Sequence, residues 1–225
     1  MYSKGGLNIQ GSTFTSNKAD KYGGAVVSTY HLNCTNCLFE SNSATVYGGA
    51  LCVGYKGMSY IENSIFRYNT VENYGGAVYS NSDININNCN FEEKYAKIYG
   101  GAIVGSNINI NTNQTNTETF STFFTGNMLR DGGASTKGGG AIYARQTLNI
   151  VNAYFAKNQV EGRGGAAYSE SNTNINHCLF ESNKATGVQF LRGGAIYCKE
   201  CVGVKNSTFK ITMLMIMVEQ FWPKS

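Results

Sequence analysis

Residues 39–51 read Phe-Glu-Ser-Asn-Ser-Ala-Thr-Val-Tyr-Gly-Gly-Ala-Leu, and the same grammar returns at 180–196 as Phe-Glu-Ser-Asn-Lys-Ala followed by Gly-Gly-Ala-Ile. Outward from these two copies, Gly-Gly-Ala followed by an aliphatic residue or alanine starts at Gly23, Gly48, Gly75, Gly100, Gly139, Gly164 and Gly193, with most steps 25 to 29 residues. Phenylalanines alternate with it at Phe14, Phe39, Phe66, Phe91, Phe124, Phe155, Phe180 and Phe209. A fixed period in this range predicts a stack of similar units, each touching only its neighbours.

Counting from each phenylalanine exposes the local structure. Five residues before it stand Ile9, Cys34, Ile61, Ile86, Ile150, Ile175 and Val204; seven before stand Leu7, Leu32, Ile84, Leu148 and Val202. Polar residues separate them, as in Leu148-Asn149-Ile150, so the period is two and the segment reads as a strand with one buried face. Two before the phenylalanine the residue is small: Ser12, Cys37, Ser64, Cys89, Thr122, Ala153, Cys178 or Ser207. Asparagine recurs three before (Asn36, Asn63, Asn88, Asn152, Asn206) and three after (Asn17, Asn42, Asn69, Asn127, Asn158, Asn183). Stacked amides can bond up and down a pile, and asparagine also tolerates left-handed corners. Alanines five after the phenylalanine, such as Ala44 and Ala96, suit a narrow interior, and the glycines supply a bend before a further strand begins at Val26, Leu51, Val78, Ile103, Ile142 and Ile196. Each unit thus holds two or three short strands, and the fold class is all-β: a parallel β-helix solenoid. About eight coils of about 25 residues, at roughly 4.8 Å each, make a rod near 40 Å long. Extra residues fall between Gly100 and Phe124, including the Asn/Thr-rich stretch Asn107 to Thr119, and between Phe124 and Gly139. Inserts of this kind leave a stack as loops, here 104–120 and 126–138, and such loops are often the binding side.

The alternating Tyr-Gly-Gly-Ala-hydrophobic and Phe-x-x-Asn motifs resemble the repeats of the chlamydial polymorphic outer membrane proteins; β-helical surface proteins of some protists carry similar ones. The resemblance covers about residues 1–210 and implies a right-handed parallel β-helix solenoid of the pectin-lyase type, exposed at a cell surface and used for adhesion. It implies as partners a host or cell-surface protein or a glycan.

The chain divides into a repeat domain, 1–210, and a non-repeat tail, 211–225. Met1-Tyr2-Ser3 matches the middle of a unit, as in Val78-Tyr79-Ser80, so the first coil is entered partway through and the domain reads as a fragment. In the tail, codons read one register over turn Met213-Leu214 into alanine, Met215-Ile216 into aspartate and Met217-Val218 into glycine. The shifted frame then permits Asn-Tyr-Ala-Asn-Asp-Tyr-Gly-Gly-Ala-Ile, restoring the repeat, so the tail is expected to derive from a one-nucleotide insertion or deletion just after Lys210.

Composition narrows the function. Charged residues are only 14% and the net charge of +4 is spread thinly, which offers no nucleic-acid-binding run. No apolar stretch approaches the roughly 20 residues of a membrane helix, and none has the layout of a signal peptide. The seven cysteines include Cys34/Cys37 and Cys198/Cys201, a zinc-like spacing. The two pairs fall about six coils, or roughly 29 Å, apart, so they cannot share one metal; a buried small apolar role is expected, and no metal or cofactor. Local bridges Cys34–Cys52 or Cys198–Cys201 remain open. His177 takes an asparagine slot and reads as structural. Glu40, Glu181 and Glu92-Glu93 read as solvated corners, and the three aspartates Asp20, Asp83 and Asp131 sit in different slots. Glycosidases need paired carboxylates and lyases a base with acidic metal ligands, so no catalytic residue is assigned. Tyr22, Tyr47, Tyr74 and Tyr99 precede Gly-Gly in four consecutive units: facing inward they would be stacked core, the expected reading, and facing outward a strip on which sugar rings stack. Asn33, Asn113 and Asn206 match the glycan-acceptor pattern. The expected function is non-catalytic, structural or adhesive, at a cell surface; the alternatives are a polysaccharide lyase or hydrolase with its site in other coils, and a truncated product without function. Uncovered coils at both ends predict poor solubility.

Overall fold

The computed structural model describes residues 1–54, 57–112, 119–130, 138–186, 193–200, 202–210 and the backbone of 216–218. Among the described residues there is no helix, and every strand pair is parallel. The strands build four sheets of nine, eight, eight and seven members, and each turn of chain adds one strand to each sheet. The result is a β-solenoid of about seven complete turns, close to the eight expected. Each unit carries four strands rather than two or three. The additional strand is short: Lys18–Ala19, Ser43–Ala44 and Thr70–Val71 hold two residues each, too few to show alternation in a sequence.

The nine-stranded sheet follows the glycines and includes Val26–Ser28, Leu51–Val53, Val78–Ser80, Ile103–Gly105 and Ile142–Ala144. Next comes an isoleucine sheet (Leu7–Gln10 to Val202–Lys205), then a phenylalanine sheet (Thr13–Thr15 to Thr208–Lys210), then the short alanine sheet. Register follows the repeat. Phe91 pairs with Phe124 and Ile103 with Ile142, so the register is the same on either side of both inserts; the loops expected at 104–120 and 126–138 are narrower than that, because Ile103–Gly105, Ile108–Ile110 and Met128–Leu129 are strands of the stack. Tyr2-Ser3 pairs with Val27-Ser28, the position expected from Tyr79-Ser80, and Ile216–Val218 of the tail adds a ninth strand beside Ile196–Cys198.

Three columns fill the interior. The phenylalanines stack ring on ring, centroids 4.6 to 4.9 Å apart and planes within 7°, a spacing imposed by the strands themselves. Aliphatic residues of the glycine and isoleucine sheets pack against them, and a separate column runs Ala44, Val71, Ala96, Leu129, Val160, Ala185. At Phe+3 the amides form the expected ladder. Asn42 donates from its backbone and side-chain nitrogens to Oδ1 of Asn69, at 2.9 Å each, and its amide also donates to Phe14 O; Asn127 and Asn158 repeat the scheme. The asparagine three before the phenylalanine does something else: Asn36, Asn63, Asn88 and Asn152 turn corners at φ of 49° to 56°, as does His177 at 52°.

The small slot two before the phenylalanine is a capping position. Ser64 Oγ donates to Glu62 O at 2.7 Å, and the thiols of Cys37, Cys89 and Cys178 reach the equivalent carbonyls at 3.1 to 3.3 Å. The glycine pair has two distinct causes. The first glycine has positive φ, 49° to 79° from Gly23 to Gly164. The second lies against the next coil's backbone: a Cβ on Gly101 would sit 2.0 Å from Gly140 O, and one on Gly76 2.0 Å from Gly101 O.

Candidate functional site

Alternation on the glycine sheet sends Val26, Leu51, Val78 and Ile103 inward and Val27, Cys52, Tyr79 and Val104 to the outer face. Later coils place Tyr143, Tyr168 and Tyr197 in that outer column, stacked at 5.0 and 5.1 Å. Tyr22, Tyr47, Tyr74 and Tyr99 form a second column at the preceding corner, linked by parallel bridges, with centroids 5.3 to 5.4 Å apart. The columns interlock: Tyr47 lies 4.2 Å from Tyr79, and Tyr99 4.2 Å from Tyr143. These four tyrosines are therefore stacked but not part of the main core. They cover an outer aromatic layer, leaving Tyr79 and Tyr143 only 7% exposed, while Tyr22 at the end of the column is 46% exposed. Glycine corners hid this parity from the sequence.

Charges edge the layer. Arg145 lies over the Tyr79 ring at 5.3 Å and donates to its hydroxyl at 3.2 Å; Arg163 lies 4.8 Å over Tyr197. Tyr143 donates to Glu170 Oε1 at 2.5 Å, and Glu170 also pairs with Lys199. Burial pushes the phenols of Tyr79, Tyr143 and Tyr168 upward, Tyr143 further through its bond to Glu170, while Arg145 partly offsets the rise at Tyr79. At neutral pH these rings are uncharged, so the face can stack and hydrogen-bond but holds no ready nucleophile.

The glycan-acceptor asparagines differ in setting. Asn33 lies within Leu32–Thr35 and donates its amide to Asn8 Oδ1 at 2.9 Å, whereas Asn206 is exposed at a left-handed corner with φ 46°. Asn113 lies outside the described residues. So do Cys201 and most of the tail.

The structure separates Cys34 from Cys52. Cys34 points into the main core and Cys52 into the outer aromatic layer, on opposite faces of different sheets, so that bridge is corrected: both are free thiols, as are Cys37, Cys89 and Cys178. Glu40 and Glu181 are also not solvated corners. They end the strands Leu38–Glu40 and Leu179–Glu181 as half-buried residues, Glu40 paired to Arg67 at 2.7 Å and Glu181 accepting from Tyr154 at 2.6 Å. Among the described residues no three His, Cys, Asp or Glu form a metal-binding group, and no helix is long and apolar enough to cross a membrane.

A parallel solenoid with stacked aromatic and amide columns defines a β-solenoid repeat protein. More particularly, residues 11–29 and 36–54 match the model of the Chlamydia polymorphic membrane protein repeat. Each matched segment holds one of the stacked phenylalanines and one Gly-Gly-Ala, and the parallel sheets in which these segments lie continue to Lys210. No curated protein and no solved structure matches the chain.

Proposed function

We propose that the chain is a rigid, non-catalytic cell-surface module that adheres through its lateral faces. The observation carrying this reading is the unbroken register of all four sheets through both inserts: a stack that holds its faces in line while loops vary is suited to repeated contact. The polymorphic membrane protein repeat supports placement at a membrane surface. The faces offer phenols, amides and arginines, which bind without breaking bonds.

The test is adhesion of beads coated with the folded chain to cultured cells, against beads carrying the same chain after denaturation. Adhesion that requires the fold is expected. Equal binding by both bead types, or release of product from polysaccharides incubated with the folded chain, would refute the reading.

A further inference from the structure

The outer face of the isoleucine sheet carries a second amide ladder, unrelated to the buried one. In register outward lie Asn8, Asn33, Tyr60, Asn85, Asn109, Asn149, Asn174 and Gly203. Four consecutive members bond head to tail: Asn109 donates to Asn85 at 3.0 Å, Asn149 to Asn109 at 2.8 Å, and Asn174 to Asn149 at 2.9 Å. An amide has two N–H donors and two acceptor sites, and the ladder consumes one of each per inner rung. Each rung therefore keeps one donor and one acceptor for whatever lies above it.

The run ends for a chemical reason on both sides. Tyr60 offers no amide oxygen, so Asn85 Nδ2 has no partner among the described residues, and Tyr60 is itself 42% exposed. Gly203 offers no donor, so Asn174 Oδ1 stays open; a Cβ there would approach that oxygen to 3.2 Å. Above these rungs lies an open groove of about 740 Å³, bordered further by Met58, Thr112, Asn176 and Lys205.

We propose that this groove binds a neutral oligosaccharide lying along the stack. The floor repeats an uncharged donor–acceptor pair every ~4.8 Å, the strand spacing. Vicinal hydroxyls, each both donor and acceptor, answer such a pair, and a sugar's C–H face suits the exposed Tyr60 ring. An extended peptide along the same axis presents same-side groups only every ~6.8 Å and falls out of step with the rungs. The inference rests on the adhesive reading and gives it a ligand class.

The experiment applies the full chain to an array of immobilised neutral and sulfated oligosaccharides, followed by calorimetric titration of the best neutral binder. Tyr60→Ala and Asn149→Val are each expected to weaken binding at least tenfold. Tyr154→Phe, on the outer face of the neighbouring sheet, is expected to leave it unchanged. Asn149→Val keeps strand propensity, and circular dichroism establishes that each variant is folded. Binding to sulfated probes alone, no binding to any neutral glycan, or neutral binding unaffected by Tyr60→Ala and Asn149→Val overturns the inference. Cell adhesion that persists in Asn149→Val and is not competed by the neutral glycan would sink the inference while leaving the adhesive reading intact.

Discussion

Lys94 occupies the Phe+3 slot that holds asparagine in neighbouring coils, and it is 1% exposed. Its backbone N–H still donates to Asn127 Oδ1 at 3.3 Å, and its Nζ turns to the carbonyl of Glu92. What it lacks is an oxygen. Asn17 donates its backbone N–H and an amide hydrogen to Asn42 Oδ1, and Asn42 donates the same two to Asn69 Oδ1, but the fully buried Asn69 meets no such oxygen at position 94. Burial lowers the Lys94 ammonium from 10.5 to about 6, with Glu92 and Glu93 opposing the shift and Arg67 adding to it. Lys94→Asn is expected to restore the ladder.

The size of the effect comes from three terms. At about 1.4 kcal/mol per unit, holding the amine neutral at pH 7 costs about 5 kcal/mol relative to the unfolded chain. Satisfying two buried donors contributes about 2 kcal/mol, and losing the lysine stem's packing removes a similar amount. The last two nearly cancel, so the protonation term decides. Between pH 6 and 10.5 the unfolded state binds the extra proton, so wild-type stability rises with pH across that window and is insensitive to this group below about 6. The variant should exceed wild type by about 5 kcal/mol at pH 7 and by about 2 kcal/mol at pH 9. Urea denaturation of both proteins at pH 6, 7, 8 and 9 measures this directly. A variant no more stable than wild type at pH 7, or a difference that does not narrow toward pH 9, would refute the reasoning.

Gly101→Ala should abolish the native stack, because its Cβ would meet a backbone carbonyl at 2.0 Å that cannot rotate away; loss of the strand circular dichroism at 25 °C is the readout, and a folded variant contradicts the packing account. Phe124→Ala removes a ring stacked on both sides and should cost about 3 to 5 kcal/mol in urea denaturation. The thiols of Cys52, Cys89 and Cys178 are pushed up to about 12 by burial, so at pH 8 iodoacetamide should leave them unmodified in the native protein and alkylate them after denaturation, as mapped by mass spectrometry. We also propose that residues 211–225 arise by frameshift; resequencing should reveal a one-nucleotide difference just after Lys210, and an unchanged reading frame dismisses it.

The positions legible in the sequence are those where the fold demands one chemistry in every coil. The second glycine of each pair leaves no room for a Cβ, the Phe+3 slot supplies both donor and acceptor wherever it holds asparagine, and the residue two before phenylalanine must be small, with serine and cysteine there also donating to a carbonyl. Corners two residues after phenylalanine stayed hidden. Ser16, Ser41, Tyr68, Glu93, Lys157 and Ser182 all hold φ near 55°, yet they are exposed or half-buried and range from serine to tyrosine, glutamate and lysine. The outer ladder escaped for a related reason. Its asparagines alternate with isoleucines exactly as any solvent-facing strand residue would, and only register shows that Asn109 follows Asn85 while Tyr60 and Gly203 end the run. Interior constraints repeat because every coil must close. Outer faces are freer to vary, and these outer amides also bond to one another along the stack, so what sets the run apart is that each inner rung still keeps a donor and an acceptor toward the groove.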